Sequence, residues 1–278
     1  MKKPHWLHKK IDLSSLRRVK ELLSELNLHT VCQQALCPNI SECFKNNVAT
    51  FMILGTSCSR NCGFCAIEKL PLNKPDYTEP HRVKEAVKRM GLKYVVVTSP
   101  ARDDLVDGGA KMFLLTVKEI KALVPVPKVE ILIPDFEGKE KPLELVASSG
   151  ADIISHNIET VPSLYIKVRK EADYIRSLDI IKKLKGINKN IIVKSGFMLG
   201  IGEEKQEVID VLGDLANAGC DFLTIGQYLA PTTKHYPVIR YIPQEEFLFY
   251  KEKAFESGFK AVKAAPYVRS SYLAHTLL

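Results

Sequence analysis

Residues 49–65 read ATFMILGTSCSRNCGFC. The first seven form a short apolar run closed by a glycine, the right length for a strand buried on both faces and too short for a helix. The next ten switch to small and polar residues and set Cys58, Cys62 and Cys65 at CxxxCxxC spacing. A strand that delivers three thiols on the loop behind it organises the reading of the whole chain, because the same alternation recurs downstream.

Further strands are expected at 93–99 (KYVVVTS), 128–134 (KVEILIP), 151–156 (ADIISH), 190–196 (NIIVKSG) and 221–227 (DFLTIGQ). Amphipathic segments predict helices at 79–90, 110–123, 142–149, 172–185, 203–218 and 244–257, with one more at 15–26 ahead of the pattern. Apolar strands alternating with helices indicate a parallel sheet covered on both faces. Six βα units are too few for a closed eight-fold barrel, which leaves an open barrel or a doubly wound sheet. In a doubly wound sheet the polar chemistry gathers at one switch point; in a barrel it follows the ends of several strands. Here TSCSRNCGFC, SPARDDLVDGG, IPDFEG, HNIET, KSGFMLG and GQYLAP each follow a strand. The expected fold is therefore α/β, an open partial (β/α)6 TIM-like barrel with N-terminal and C-terminal extensions. The expected division is 1–48 as an N-terminal extension, 49–240 as the barrel, and 241–278 as a C-terminal helix and tail that closes it.

Composition narrows the class. The chain has 278 residues, 46% of them hydrophobic, enough for a sizeable core. No apolar run approaches the roughly 18 residues that cross a bilayer. The start, MKKPHWLHKKIDL, shows neither a signal-peptide core nor a transit pattern, so a cytoplasmic location without a membrane role is expected. Lys and Arg number 40 against 32 Asp and Glu, a formal charge of +8 that is dispersed along the chain. That excess is either a solvated surface or a face for an acidic partner. No nucleic-acid-binding fingerprint accompanies it, so a protein partner is expected and nucleic acid is not.

Six of the seven cysteines fall into two triplets, Cys32, Cys37 and Cys43 at CxxxxCxxxxxC and Cys58, Cys62 and Cys65 at CxxxCxxC. Disulfides suit an oxidising compartment. Structural zinc prefers paired CxxC or Cys/His sets that complete a tetrahedron locally. Iron–sulfur clusters on closely spaced thiols fit the two triplets best, with each cluster leaving one iron unclaimed by its own triplet. Cys220, heading an apolar run in NAGCDFLTIG, reads as a buried structural thiol.

CxxxCxxC on the loop after the first barrel strand resembles the radical S-adenosylmethionine superfamily. The segments CQQALCPNISECF, RDDLVDGGA, PDFEG, HNIETVPSLY, RKEADYIRSLDIIK, KSGFMLGIGE, LTIGQYLAPT and RSSY resemble the lipoyl synthase family from about residue 30 to 272. This resemblance implies two 4Fe-4S clusters and S-adenosyl-L-methionine as cofactors. The amino and carboxylate groups of S-adenosylmethionine would chelate the open iron of the Cys58, Cys62, Cys65 cluster, and its cleavage would give a 5′-deoxyadenosyl radical. Cys32, Cys37 and Cys43 would hold an auxiliary cluster whose fourth ligand is Ser271 of RSSY. Without that resemblance, RSSY would read as a capped turn in a tail. A serine alkoxide is a harder donor than thiolate, which suits a corner that must let its iron go when sulfide is taken.

The implied reaction inserts two sulfur atoms at C6 and C8 of an octanoyl chain. That chain is carried on a lysine of a lipoyl carrier domain, of a 2-oxoacid dehydrogenase E2 subunit or a glycine-cleavage H protein. Electrons would come from a donor such as flavodoxin or ferredoxin. A biotin synthase or methylthiotransferase is the nearest rival, opposed by the N-terminal triplet and RSSY; a zinc-stabilised binding module is the rival outside catalysis.

Binding S-adenosylmethionine also calls for strand-end groups. Asn157 and Glu159 of HNIET and Lys194 and Ser195 of KSG are the candidates, Glu159 suited to paired hydroxyls and Lys194 to a carboxylate. The plainer alternative is a Glu159–Lys194 pair bridging strand ends. Gly108 and Gly109 could present backbone amides at a helix start. His156 reads as structural, and Arg102, Asp103 and Asp104 as either a paired surface loop or part of the site. Tyr272 would pack the tail. Two departures from the family's usual pattern, Ser99-Pro100-Ala101 before RDDL and Ser155 before HNIE, bear on local contacts only.

Overall fold

A computed structural model describes residues 3–8, 13–46, 48–69 and 71–277. Residues 1–2, 9–12 and 47 of the expected N-terminal extension lie outside the described residues. The chain forms two compact units.

One unit comprises Lys10–Arg60 and Ala66–Ser155. In chain order it holds α1 (Leu13–Glu25), β1 (His29–Thr30), α2 (Val31–Gln34), α3 (Ile40–Lys45), β2 (Thr50–Met52), α4 (Glu79–Met90), β3 (Tyr94–Thr98), α5 (Ala110–Lys121), β4 (Lys128–Leu132), α6 (Glu140–Ala147) and β5 (Ile153–Ser155). β1 lies antiparallel to β2; β2, β3, β4 and β5 then pair in parallel, with Thr50 opposite Val96, Val96 opposite Glu130, and Glu130 opposite Ile153. Successive strand residues are buried whichever face they take, as Phe51, Met52, Val95, Val96, Val97, Val129 and Ile131 are. Helix residues Val83, Val87, Phe113, Val117, Leu143 and Val146 are buried as well, so the apolar runs read from the sequence serve two core layers. α4 starts and stops where local chemistry dictates. Pro80 sits in its first turn, and Gly91 at φ +63° turns its amide back onto the Val87 and Lys88 carbonyls.

The other unit comprises Met1–Lys9, Asn61–Cys65 and His156–Leu278. Its elements are α7 (Tyr165–Val168), α8 (Tyr174–Ile187), β6 (Ile192–Leu199), α9 (Lys205–Asn217), β7 (Phe222–Gln227), α10 (Gln244–Glu256) and β8 (Ala261–Ala265). β6, β7 and β8 pair in parallel, with Lys194 opposite Phe222 and Phe222 opposite Ala261. α8 is capped by Asp173, whose carboxylate accepts from the Arg176 amide at 2.7 Å, and α9 by a Glu204/Glu207 capping box. Gln227 ends β7 as a buried connector: its amide nitrogen reaches the carbonyls of Leu199, Tyr228 and Arg240 at 3.2, 3.0 and 3.1 Å, while its oxygen accepts from the Ile242 amide at 2.8 Å. Cys220 is buried, with its thiol 3.2 Å from the Phe222 carbonyl, as a structural cysteine should be.

Every expected strand and helix is present, trimmed or shifted by a few residues. β1, β8 and the short helices α2, α3 and α7 were not anticipated. β8 reads AVKAA, small residues and a lysine with little β-propensity of their own, and becomes a strand by pairing with β7. α2, α3 and α7 are shorter than the span over which helical periodicity can be counted. Among the described residues no helix is long and apolar enough to cross a membrane.

A Cβ on Gly226 of β7 would lie 2.2 Å from the Val268 carbonyl oxygen, a backbone atom that cannot turn aside. Gly226→Ala is expected to destabilise by about 2 kcal/mol or more through forced displacement of the tail. Gly186→Ala in α8, where nothing lies within 4 Å, should instead stabilise, by about 0.5–1 kcal/mol. Chemical denaturation of both variants followed by circular dichroism checks the contrast.

Candidate functional site

The loop after β2 has little regular backbone structure and takes its shape from hydrogen bonds. The Cys58 amide donates to the Glu68 carbonyl at 3.1 Å and the Ser59 amide to the Ala101 carbonyl at 2.9 Å. Arg60, 8% exposed, holds both oxygens of Asp103 at 2.8 Å and reaches Asp135, which is fully buried, at 2.5 Å. The Ser59 hydroxyl adds a bond to Asp103 at 2.7 Å, and the Arg60 amide faces Cys58 Sγ at 3.4 Å. Burial works against the Arg60 charge, but the hydrogen bonds and charges of Asp103 and Asp135 raise its pKa further above the usual range. Burial likewise pulls Asp103 upward, and the bonds from Arg60 and Ser59 still hold it below the ordinary carboxylate value.

The RDDL segment is paired, as one of its two readings expected, but Arg102 is not on the surface. At 2% exposure it joins Asp104 at 2.8 Å to the carbonyls of Leu54 at 3.1 Å and Asn73 at 2.7 Å. The amides of Gly108 and Gly109 are already used, by the Leu105 carbonyl and the Asp107 carboxylate, each at 3.0 Å. They present no anion site.

The first triplet sits on short helical turns of the same unit. Cys32 lies in α2, whose N-cap Thr30 accepts from the Gln33 amide, and Cys43 lies in α3. Both are buried, whereas Cys37 is half-buried. Burial, followed by the neighbouring Cys37 thiol, pushes the Cys32 pKa up to about 11. Such a thiol gives up its proton to a metal far more readily than to water.

In the other unit, Gly63 donates to the Val168 carbonyl and accepts from the Tyr236 amide, both at 2.8 Å, and the Cys65 amide donates to the Cys62 carbonyl at 3.1 Å. Cys62 and Cys65 are half-buried, and all seven cysteines of the chain are thiols outside any disulfide. Among the described residues no three His, Cys, Asp or Glu side chains converge to the spacing of a single metal ion. A cubane offers each thiolate a different iron, so its ligands stand wider apart, and the donor set of three thiols suits such a cluster.

Three of the four residues expected to bind S-adenosylmethionine are joined through the tail of this unit. The Asn157 amide donates to Glu159 at 3.0 Å and to the Ser270 hydroxyl at 2.6 Å, and Lys194 donates to the Ser270 carbonyl at 2.5 Å. Lys194 and Ser195 are fully buried. The Ser195 hydroxyl, the Asn157 carbonyl oxygen and the Thr160 hydroxyl are buried without a hydrogen-bond partner among the described residues. Unsatisfied groups of this kind cost about 1–3 kcal/mol each and mark a place for a polar ligand or water. Their chain neighbours Glu159 and Gly196 line a cavity of about 60 Å³ together with Met198, Thr224, Gly226 and Ser270. A Cβ on Gly196 would lie 2.3 Å from Thr224 Oγ1 and 3.2 Å from Asn157 Oδ1, so glycine keeps this space open. Glu159 holds φ at +65°, a strained value for a residue with a side chain, and desolvation raises its pKa against the opposing pull of Arg169 and Asn157. His156 is buried, its amide on the Lys194 carbonyl at 3.0 Å.

Sequence reasoning missed Ser270, Arg60 and Arg169. Ser270 precedes the expected ligand Ser271, which is half-buried with its carbonyl accepting from the Ala274 amide at 3.4 Å. The doubled serine was the available signal. Arg169 is buried with its guanidinium 3.0 Å from the Tyr165 hydroxyl and 5.5 Å from that ring's centre. Nothing in VRKEADY marks it for burial except the apolar residue before it.

Residues 52–227 match the family model described as the radical SAM superfamily. A curated lipoyl synthase of Caldicellulosiruptor saccharolyticus is 54% identical over 98% of this chain and 96% of its own length. One from Caldanaerobacter subterraneus subsp. tengcongensis is 50% identical over 98% and 95%. Among solved structures, SuiB of Streptococcus suis bound to S-adenosylmethionine is similar with a TM-score of 0.59 at 12% identity, covering 82% of this chain and 54% of that one. Methylornithine synthase (PylB) gives 0.54 at 15% identity, covering 88% and 81%. These structural likenesses concern the fold alone, and it is the α/β fold expected, an open partial (β/α)6 barrel.

The raised Glu159 pKa has a defined pH signature. Below the ordinary value of 4.5 the carboxyl is protonated in folded and unfolded chains alike. As pH rises past it, the unfolded chain releases the proton first and the folded chain loses stability. Relative to Glu159→Gln, the parent should therefore lose stability as pH rises above 4.5 and show a constant difference below it, as urea denaturation across pH would record.

Proposed function

Because this chain belongs to the lipoyl synthase family of the radical SAM superfamily, we propose that Cys58, Cys62 and Cys65 hold the cluster at which S-adenosylmethionine binds. We further propose that Cys32, Cys37, Cys43 and Ser271 hold the auxiliary cluster. The enzyme is a sulfurtransferase that inserts two sulfur atoms at C6 and C8 of an octanoyl-lysine on a lipoyl carrier protein, giving the lipoyl cofactor. Its cofactors are two 4Fe-4S clusters and S-adenosyl-L-methionine, which when bound supply the one-electron chemistry and the sulfur.

This chain's own residues do the holding. Lys194 is the cation for the methionyl carboxylate, Glu159 the acceptor for the ribose hydroxyls, and Asn157 and Ser195 offer the atoms that complete the ligand's hydrogen bonds. The observation that supports this reading best is the set of unpartnered buried oxygens on Asn157, Thr160 and Ser195, whose neighbours Glu159 and Gly196 line a cavity. In this reading residues 1–48 supply the auxiliary triplet, 49–240 the barrel, and 241–278 the tail that carries Ser271.

The carrier is a lipoyl domain of a 2-oxoacid dehydrogenase E2 subunit or a glycine-cleavage H protein, and the electron donor a flavodoxin or ferredoxin. A formal charge of +8 favours acidic partners. Seven thiols outside any disulfide favour the reducing cytoplasm.

Anaerobic incubation with S-adenosylmethionine, reductant and an octanoyl-lysine peptide should yield a peptide carrying two added sulfurs by mass spectrometry. Cys58→Ala should abolish S-adenosylmethionine cleavage while the other triplet keeps its iron. A colourless protein containing zinc and producing no sulfur-bearing peptide would overturn the reading.

A further inference from the structure

We propose that Arg60 is a positioning residue for the three-cysteine cluster, its buried guanidinium fixing the Cys58 thiolate through Asp103 and Asp135. The proposal rests on the reading of Cys58 as a cluster ligand.

Between Cys58 and Cys62 the backbone is neither helix nor strand, so nothing repetitive sets its path. The path is set instead by Ser59 and Arg60. Ser59 closes a two-way link with Asp103, its hydroxyl donating at 2.7 Å and accepting the Asp103 amide at 3.1 Å. Arg60 spans the fork of Asp103 with Nε and Nη2 and sends Nη2 on to Asp135. Asp135 is itself oriented, accepting from the Glu137 amide at 3.0 Å. A lysine could neutralise the carboxylates but could not span them in this planar arrangement. With its side chain held on this side, the Arg60 amide is aimed at Cys58 Sγ, 3.4 Å away. Hydrogen bonds to cluster sulfurs and nearby charge are the terms by which a protein tunes such a centre.

An ion triad with two of its three members buried is a poor way to gain stability, since apolar residues of the same volume commonly do as well or better. Its location two residues after Cys58 gives it another use. It removes the freedom of the first thiol on the loop that follows β2.

The test uses the full chain reconstituted anaerobically with iron and sulfide, with Cys32, Cys37 and Cys43 replaced by Ala so that only the second triplet can hold a cluster. Arg60→Gln and Asp103→Asn should each release iron to a chelator roughly tenfold faster than this parent. Both should alter the electron paramagnetic resonance spectrum of the reduced cluster and its response to S-adenosylmethionine. Arg60→Lys, which keeps the charge and loses the fork, should behave more like Gln than like the parent. In the mirror chain, with Cys58, Cys62 and Cys65 replaced by Ala, Arg60→Gln should leave iron retention unchanged. Unaltered release and spectra in Arg60→Gln would overturn the proposal, and so would equal iron loss in the mirror chain, which would mark a general structural role. If the parent with only the second triplet takes up no iron at all, the cluster reading itself falls and the proposal with it.

Discussion

Strands buried on both faces leave no room for a polar side chain without a partner, and that constraint arranges the chemistry of each unit. Glu130 on β4 is tolerated in the interior because the Tyr94 and Ser155 hydroxyls donate to it at 2.5 and 2.7 Å. Lys194 on β6 is tolerated because the tail brings the Ser270 carbonyl to it. The requirement is left unmet at several atoms, among them the Asn157 and Thr160 oxygens and the Ser195 hydroxyl, whose chain neighbours Glu159 and Gly196 line a cavity that glycine keeps open. Open buried groups of this kind are where a protein accommodates a polar ligand or an ordered water.

The buried charges follow the same logic at greater cost. Arg60, Arg102 and Arg169 are all nearly inaccessible, and each sits in a defined set of acceptors or against an aromatic ring. Arg60 and Arg102 anchor the loops that follow β2 and β3, segments too irregular to be held by backbone pairing alone. Glu159 combines a strained backbone with a pKa raised by desolvation, two penalties on one residue. Penalties that coincide at a strand end are typical of groups retained for a ligand rather than for the fold.

The two cysteine triplets differ in setting as well as spacing. Cys32 and Cys43 are buried on helical turns. Cys58, Cys62 and Cys65 are half-buried on a loop.

The alternation of apolar runs with amphipathic segments determined the class of fold, because burial on both faces of a parallel strand leaves a mark in consecutive residues. α4 shows how local the information can be: its bounds, Glu79 and Met90, were read directly from the pattern ahead of Gly91. The spacing of the cysteines was equally legible, since three thiols in eight residues are close along the chain whatever the rest of it does. Tertiary structure alone decided that AVKAA becomes β8, that Arg60 rather than a neighbour takes Asp103 and Asp135, and that Ser270 meets Asn157 across 113 residues of chain. Pairing, burial of a charge and a bond to a distant partner are properties of what the chain folds against, and no window of sequence contains them.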